Sequence, residues 1–275
     1  MKKILVPTDF SDTAKNAARY AVQMAANIPG ALIILYNVYD KLAPGSDGSP
    51  LTESDEDRKI VLNQALSNLE IELHEISDVK IDYVAEVGNS LVDSVHRYVR
   101  HHGIDFVVIG ITGATRLEQI LMGSNALNLI RHGVCPVMIV PPDAKFKKIE
   151  NVVFASDFKD VSVTTPIAQI KAILDIFKPK LYVVNVDSEH YIELTDEYKY
   201  ERAKLELLFR EYNPEFSFIR LYDFLDAISN FVIDKNIDFI LTVPRKHNFL
   251  SGFYKTSHTK KLAYHSHVPI VAVQE

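Results

Sequence analysis

The feature that most constrains the fold of this 275-residue chain is an internal repeat. Residues 4–10 recur at 152–158 with the same Asp-Phe ending, and 32–38 recur at 181–186 with Asn37 aligned to Asn185, both at an offset of 148 residues. Residues 103–108 and 134–140 recur at an offset of 133. Self-similarity over such lengths indicates duplication of a whole structural unit. We therefore predict two copies of one domain, residues 1–143 and 147–275, joined through the short segment 144–148.

Each copy alternates short apolar runs with helical patterns, which is typical of an α/β fold. Nearly continuous apolar strands that alternate with helices predict a parallel sheet covered on both faces. In the second copy, Thr165 and Pro166 predict the cap and the first residue of a helix. The offset falls from 148 to 133, so the second copy lacks 15 residues of the first. We assign these residues to the Gly-, Pro- and Ser-rich loop 41–57 of the first copy. The predicted strands of the first copy are 3–7, 32–39, 79–86, 105–110 and 136–141, with helices near 13–27 and 89–102.

Composition and charge argue against several classes of protein. Thirty Lys and Arg against 36 Asp and Glu give a net charge of -6, which disfavours binding to nucleic acid or to an anionic membrane. No apolar segment approaches the roughly 18 residues that span a bilayer. Asp9 and Asp12 interrupt the apolar start, so we interpret it as a strand and not as a signal peptide. A single cysteine, Cys135, forms no internal disulfide, so we expect a cytoplasmic protein in which Cys135 is a small buried residue.

A glycine-containing loop follows the fourth apolar run of the first copy. Gly110 and Gly113 are followed by nine residues and then by Gly123, Ser124 and Asn125, which lead into a helical pattern. Glycines let backbone approach a ligand, and free N–H groups at a helix start favour an anion such as phosphate. The Ser124 hydroxyl can also donate to a phosphate oxygen. The chain has no P-loop motif and no dinucleotide-binding glycine motif after the first strand.

The spacing Gly-x2-Gly-x9-Gly-Ser resembles the nucleotide loop of the ATP-binding universal stress proteins. The resemblance extends to residues 4–11, to Asn37 and Val38, to 86–89 and to 135–140, and so covers residues 1–141. It implies two tandem doubly wound domains, each a five-stranded parallel sheet in the order 3-2-1-4-5 with helices on both faces. It also implies a ligand crevice between the first and fourth strands, where the connections diverge.

The resemblance assigns roles to residues on both walls of that crevice. Asp9 and the Val38 backbone would contact the adenine and ribose, and the glycine loop with Ser124 would hold the phosphates. Asp9 could instead cap the following helix, with Ser11 and Asp12 as rival caps. Ala126 stands where nucleotide-binding members often carry a hydroxyl, and alanine cannot make the phosphate contact that the resemblance implies there. The predicted nucleotide-binding residues are Pro7, Thr8, Asp9, Val38, Gly110, Gly113, Gly123, Ser124 and Asn125, and we predict no catalytic residues.

The second copy has lost the glycines of this loop. The aligned positions hold Val243, Lys246, Thr256 and Ser257. We therefore expect no nucleotide there and interpret Asp157, the counterpart of Asp9, as a helix cap. The basic segment 245–261 is either a solvated surface or a different anion site. The histidines at 258, 265 and 267 lack supporting ligands, so we predict no metal site.

The leading hypothesis is a nonenzymatic stress-response regulatory protein that binds one adenine nucleotide per chain, ATP or another, with or without Mg²⁺. The alternatives are an interaction scaffold without nucleotide and a weak nucleotide hydrolase, although no carboxylate pair is evident to hold a catalytic Mg²⁺. In the family, single domains pair through their last strand. The segments 136–140 and 269–273 are therefore candidates for pairing within one chain or in a homodimer, and protein partners are not specified.

Overall fold

The structure, a computed structural model, describes residues 2–41, 54–111, 124–186, 195–219, 224–244 and 268–274. The first half contains strands β1 (Lys3–Pro7), β2 (Leu32–Tyr39), β3 (Lys80–Val87), β4 (Phe106–Gly110) and β5 (Val137–Val140), with helices α1 (Asp12–Ala25), α2 (Asp55–His74), α3 (Leu91–His102) and α4 (Ser124–His132). The second half contains β6 (Asn151–Ala155), β7 (Lys180–Val186), β8 (Glu215–Ile219), β9 (Phe239–Thr242) and β10 (Ile270–Ala272), with helices α5 (Val161–Thr164), α6 (Ile167–Phe177), α7 (Asp196–Leu208) and α8 (Phe224–Asp234).

The described strands form one ten-stranded sheet in the order β3-β2-β1-β4-β5-β10-β9-β6-β7-β8. All pairs within a half are parallel, so each half has the predicted order 3-2-1-4-5. The halves join through β5 and β10, which pair antiparallel with Val271 opposite Met138. The two candidate edge strands therefore cover each other within one chain, which removes an exposed edge from each half.

Helices cover both faces of the sheet, as predicted. Successive strand residues face opposite sides, so Ile4 and Val6 join one buried cluster and Leu5 joins the other. The first cluster packs under α1, α2, α6 and α7, and the second packs under α3, α4 and α8. None of the helices in the described part of the chain is long and apolar enough to cross a membrane.

The assignment of all 15 missing residues to the loop 41–57 is wrong. Ser54 caps α2 in a reciprocal pair with Asp57, so the end of the predicted loop is helical; residues 42–53 lie outside the described ranges. The second half is also shorter in its regular elements. Helix α7 has 13 residues where its counterpart α2 has 20, and strand β8 has five where its counterpart β3 has eight.

The predicted helix start at Thr165 and Pro166 is off by one residue, and it misses a preceding turn. Pro166 itself occupies the cap position of α6 with φ −74° and ψ 71°, and no side chain caps the helix. The short α5 ends at Thr164, because Thr165 is extended ahead of the proline (φ −105°, ψ 113°). The counterpart of the continuous α1 is therefore a helix broken by Pro166.

The segment that joins the halves is packed against α1. Asn16 Nδ2 donates to the carbonyl oxygens of Pro141 (3.0 Å) and Ala144 (3.2 Å), and Ala144 is buried. Phe146 packs edge-on against Tyr20 with ring centroids 5.3 Å apart. These contacts fix the path of the chain between β5 and β6.

Candidate functional site

The carboxyl ends of β1 and β4 form a topological switch point. The two strands are neighbours, with Leu5 opposite Val107. The chain leaves β1 toward α1 on one face of the sheet, whereas the helix that follows β4, α4, packs on the other face. Diverging connections open a crevice at the carboxyl end of a parallel sheet, and ligands of doubly wound folds bind there.

The turn after β1 is held by hydrogen bonds to β2. The Thr8 backbone N donates to the Tyr36 carbonyl oxygen (2.9 Å), and Asn37 Nδ2 donates to the Thr8 carbonyl oxygen (2.8 Å). The Thr8 hydroxyl accepts from the Phe10 backbone N at 3.1 Å. Phe10 has φ 64°, which is strained for an aromatic residue and requires these bonds to hold it.

Asp9 is exposed and orients the helix cap. Its Oδ1 accepts from the backbone N of Ser11 (3.0 Å) and from the Ser11 hydroxyl (2.5 Å). Ser11 is the cap of α1, because its hydroxyl accepts from the Ala14 backbone N. Among the rival caps, Ser11 is therefore the one that the structure uses. The second carboxylate oxygen of Asp9, Oδ2, takes no part in these two hydrogen bonds.

Gly110 ends β4 beside the first turn of α1. A Cβ at this position would lie 2.4 Å from the Thr13 carbonyl oxygen and 2.8 Å from its carbon. Backbone atoms of a packed helix cannot move aside as a side chain can. The geometry thus gives a different reason for glycine from the predicted approach of a ligand: it lets α1 lie against β4.

The remaining predicted residues divide between the described and undescribed parts of the chain. Ser124 and Asn125 begin the nine-residue α4, so their backbone N–H groups belong to its unpaired first turn. Val38 lies near the carboxyl end of β2, half-buried, and Pro7 is buried at the end of β1. Gly113 and Gly123 fall outside the described residues. Residues at the ends of β1, β2 and β4 are thus brought to one edge of the sheet.

A polar group beside Val38 was not predicted. The buried Tyr36 hydroxyl donates to Glu86, and the Arg97 guanidinium donates to the same carboxylate. Burial acts to raise the pKa of Glu86, but the bonds from Tyr36 and Arg97 outweigh it and hold that pKa below its ordinary value. Burial and the bond to Glu86 raise the pKa of Tyr36. The sequence did carry a signal for this group: Tyr36 lies inside an apolar predicted strand, and Glu86 lies in the next predicted strand.

The second half repeats the turn bond for bond. The Ser156 backbone N donates to the Val184 carbonyl oxygen (3.0 Å), and Asn185 Nδ2 donates to the Ser156 carbonyl oxygen (3.0 Å). Phe158 has φ 55°, like its counterpart Phe10. Asp157 accepts from the Lys159 backbone N at 3.1 Å and is buried. The expectation that Asp157 caps the helix is wrong, because Asp160 holds the cap position of α5.

The second half differs where the glycine loop begins. Val243 takes the place of Gly110 and is buried in the first cluster. Its side chain would collide with a helix placed as α1 is, and here the helix is broken at Pro166. The other substituted positions, the basic segment 245–261 and the three histidines lie outside the described residues. Within the described ranges, no group of three His, Cys, Asp or Glu side chains is placed to hold a metal.

The fold defines a tandem doubly wound α/β protein with a switch-point crevice in its first half. The family model of the universal stress proteins matches residues 1–141, just over half of the chain. The chain belongs to the universal stress protein family.

Known relatives match about half of the chain, and some solved structures match all of it. Universal stress protein MJ0531 of Methanocaldococcus jannaschii is 27% identical over 151 residues, which are 52% of this chain and 84% of the relative. Universal stress protein MJ0577 of the same organism is 29% identical over 154 residues, 50% of this chain and 94% of the relative. The crystal structure of a universal stress protein from Archaeoglobus fulgidus superposes with a TM-score of 0.68 at 17% identity, covering 99% of this chain and 98% of the other. That likeness shows that the two-half fold recurs.

Proposed function

We propose that this protein is a nonenzymatic regulator that binds one adenine nucleotide per chain in the crevice of its first half. The single observation that carries the proposal is the meeting of two features at one edge of the sheet. The turn Pro7–Asp9 lies at the end of β1 and Val38 lies near the end of β2. The only Gly-x2-Gly-x9-Gly-Ser sequence of the chain starts at the neighbouring β4 and ends at α4.

The two sides of the crevice offer complementary chemistry. Asp9 Oδ2 is an exposed acceptor suited to an adenine amino group or a ribose hydroxyl. The first turn of α4, at Ser124 and Asn125, offers backbone N–H donors and the positive end of a helix dipole to phosphates. In this proposal the base lies on the β1 and β2 side and the phosphates lie on the β4 side, with Gly113 and Gly123 giving the backbone access.

The second half supports a count of one nucleotide. Val243 and the non-glycine residues aligned with Gly113 and Gly123 put side chains where the family's loop has none. The basic segment 245–261 keeps open a different anion contact there, but it lacks the glycine spacing on which the proposal rests.

Binding is favoured over turnover by the residues of the crevice. Its carboxylate at the end of β1 is Asp9, which is committed through one oxygen to Ser11. Phosphoryl transfer needs groups that hold Mg²⁺ and position a nucleophile, and no carboxylate pair in the sequence is spaced to do so. We therefore propose that nucleotide occupancy changes a surface for a protein partner, with Mg²⁺ only as a companion of the phosphates.

Isothermal titration with ATP, ADP and AMP tests the proposal. We expect a stoichiometry of one for at least one of them, and at 100 times the dissociation constant a gain of about 2.7 kcal/mol in the free energy of unfolding. Absence of binding by all three would favour the nucleotide-free scaffold. A stoichiometry of two would show that the second half also binds.

Two exchanged variants locate the site. Gly113→Lys copies the second half into the first and should abolish binding, whereas Lys246→Gly makes the reverse change and should leave one site. Binding that survives Gly113→Lys would place the nucleotide elsewhere. Phosphate release over hours that disappears in the same variant would support the hydrolase alternative.

A further inference from the structure

Gln274, near the end of the second half, touches the helix that begins in the proposed phosphate site. Strands β10 and β5 pair antiparallel, with Ala272 opposite Val137. Continued for two residues, this register brings Gln274 to the turn that follows α4. The Gln274 side-chain Nε2 donates a hydrogen bond to the Ile130 carbonyl oxygen, in the last turn of α4. The opposite end of the same helix begins at Ser124.

This bond satisfies a carbonyl group at the end of a short helix. The last four carbonyl groups of an α-helix have no partner within the helix, and they carry the negative end of its dipole. A side-chain N–H donor placed there stabilises the helix end and fixes its position. Helix α4 has nine residues, too few to be stable without tertiary contacts, and its ends lie only about 13 Å apart. A contact at the carboxyl end of α4 therefore also holds its amino end.

Gly133 leaves the space that this contact needs. An added Cβ at this position would lie 2.9 Å from Gln274 Nε2 and 2.6 Å from the Leu129 carbonyl oxygen, closer than Cβ atoms come to other atoms. The φ angle of Gly133 is not in the left-handed region, so space and not backbone conformation accounts for glycine here. The end of α4 is thus shaped to receive a side chain from the second half.

Gln274 is itself held by its own half. Gln169 Nε2 of α6 donates to the Gln274 backbone carbonyl oxygen at 3.2 Å. The first half has a matching bond from Asn16 of α1 to the carbonyl oxygen of Pro141, which aligns with Gln274 at the offset of 133. A proline side chain has no hydrogen-bond donor, so Pro141 cannot make the contact to a helix end that Gln274 makes.

We infer that the second half controls the phosphate affinity of the first half, with Gln274 as the positioning residue. This role rests on the proposed function, in which Ser124 and Asn125 at the start of α4 offer their backbone N–H groups to the phosphates. Gln274 fixes the carboxyl end of α4 and so keeps those N–H groups where the phosphates bind. The base and the ribose lie on the β1 and β2 side, away from this contact.

Titration of ATP and adenosine into the full chain tests this role, because adenosine has no phosphates. Gln274→Met removes the donor, so ATP should bind roughly 2- to 10-fold more weakly, the range that one net hydrogen bond gives. Gln274→Glu also sets a negative charge against the negative helix end and should weaken ATP binding more. Gln274→Lys keeps a donor and should bind ATP within twofold of wild type. Adenosine should bind all four proteins within twofold.

Two results would overturn the role of Gln274. The first is wild-type ATP affinity in both the Gln274→Met and the Gln274→Glu variants. The second is equal weakening of ATP and adenosine, because a merely structural defect would affect both ligands, whereas a displaced α4 affects the one with phosphates.

Lys3→Met is the matched control. Lys3 Nζ donates to the His102 carbonyl oxygen at the end of α3 (2.7 Å), so this change removes the same kind of contact from a helix outside the proposed site. It should leave ATP affinity unchanged. A loss as large as that in Gln274→Met would mean that any weakened helix end lowers ATP affinity, and it would overturn the specific role of Gln274.

Amide hydrogen exchange without nucleotide separates the failure of this role from the failure of the proposed function. Residues 124–132 should exchange faster in Gln274→Met than in wild type, and at the wild-type rate in Lys3→Met. Wild-type protein that binds neither ATP nor adenosine would overturn the proposed function and this role with it. Wild-type protein that binds ATP, with unchanged exchange and affinity in Gln274→Met, would overturn this role alone.

Discussion

The carboxyl edges of the two halves share a turn but differ in what meets it. In both, a Ser or Thr hydroxyl, an Asp and an Asn from the next strand hold a phenylalanine at positive φ. In the first half this turn leads into a continuous helix against Gly110, and in the second it leads into a helix that Pro166 breaks beside Val243. The same turn thus forms with glycine or valine at the end of the fourth strand, and with a continuous or a broken helix after it.

This difference separates residues that build the fold from residues that are free to serve a ligand. Asn37 and Asn185 make the same bond in both halves, so that bond is needed whether or not a nucleotide binds. Asp9 is exposed, whereas Asp157 is buried. The same residue type at the same turn is therefore available to solvent only in the half that has the glycine loop.

Exchanging the residues at the end of the fourth strand should have the largest effect. Gly110→Val places a Cβ against the Thr13 carbonyl oxygen, so we expect a loss of about 3 kcal/mol in the free energy of unfolding, with loss of nucleotide binding. Val243→Gly should cost about 2 kcal/mol through the lost buried side chain and should create no new site. Urea unfolding and nucleotide titration measure both.

A glycine with open space provides the control for that exchange. Gly103 has φ 61° and no atom within 4 Å of an added Cβ, so Gly103→Ala should cost only about 1 kcal/mol and leave nucleotide binding intact. If Gly110→Val were as mild as Gly103→Ala, α1 would not be held against β4 as described.

The paired asparagines come next in expected effect. Asn37→Ala and Asn185→Ala each remove a bond to a turn carbonyl oxygen at a buried position, so each should cost about 2 kcal/mol. Only Asn37→Ala should also weaken nucleotide binding, because its turn carries Asp9. Equal weakening by both variants would contradict a site confined to the first half.

Much of the fold could be predicted because the signals were local and repeated. The apolar runs gave β1, β2 and β4 to within a residue or two, and the resemblance supplied the strand order. The helix start at Pro166 was misplaced by one residue because a proline can either begin a helix or precede it, and only the path of the backbone decides between the two.

The candidate site was less predictable, because its contacts join residues far apart in the chain. The spacing Gly-x2-Gly drew attention to Gly110, but that it touches Thr13, almost a hundred residues earlier, depends on tertiary packing. Likewise, the bond between Tyr36 and Glu86 depends on the register of β2 and β3. Asn37 was recognised as a repeated residue, but its bond to the Thr8 carbonyl oxygen was not predicted.

One glutamate of each half, Glu86 and Glu201, should give a smaller effect that depends on pH. Glu201 accepts from the Val161 backbone N (2.8 Å) and from Lys204 (2.6 Å). Burial acts to raise its pKa, but these bonds hold the pKa below the ordinary value. A lowered pKa in the folded state stabilises the protein above the unfolded pKa, and that contribution is lost as pH falls through the folded one.

Replacing the glutamates should therefore flatten the acid side of the stability curve. Glu201→Gln should cost about 1.5 kcal/mol at pH 7 and less at pH 3, because the stabilisation by the ionised carboxylate is lost as the pH falls through its lowered pKa. Glu86→Gln, at a more exposed ion pair, should show the same direction with a smaller amplitude. Urea midpoints at the two pH values measure this, and an equal cost at both would contradict the lowered pKa values.

The smallest expected effect comes from Cys135, whose aligned partner in the second half is Val268. Burial, together with the Asp105 carboxylate, raises the pKa of the Cys135 thiol to about 12, so very little thiolate forms near neutral pH. We expect Cys135→Val to change the free energy of unfolding by less than about 1 kcal/mol, because it exchanges one small buried apolar group for another. In the wild type, a thiol reagent at pH 8 should react with Cys135 only at the rate of unfolding, as measured against the urea-denatured chain. Rapid labelling of the folded protein would mean that the start of β5, and with it the junction of the two halves, opens more readily than its pairing with β10 indicates.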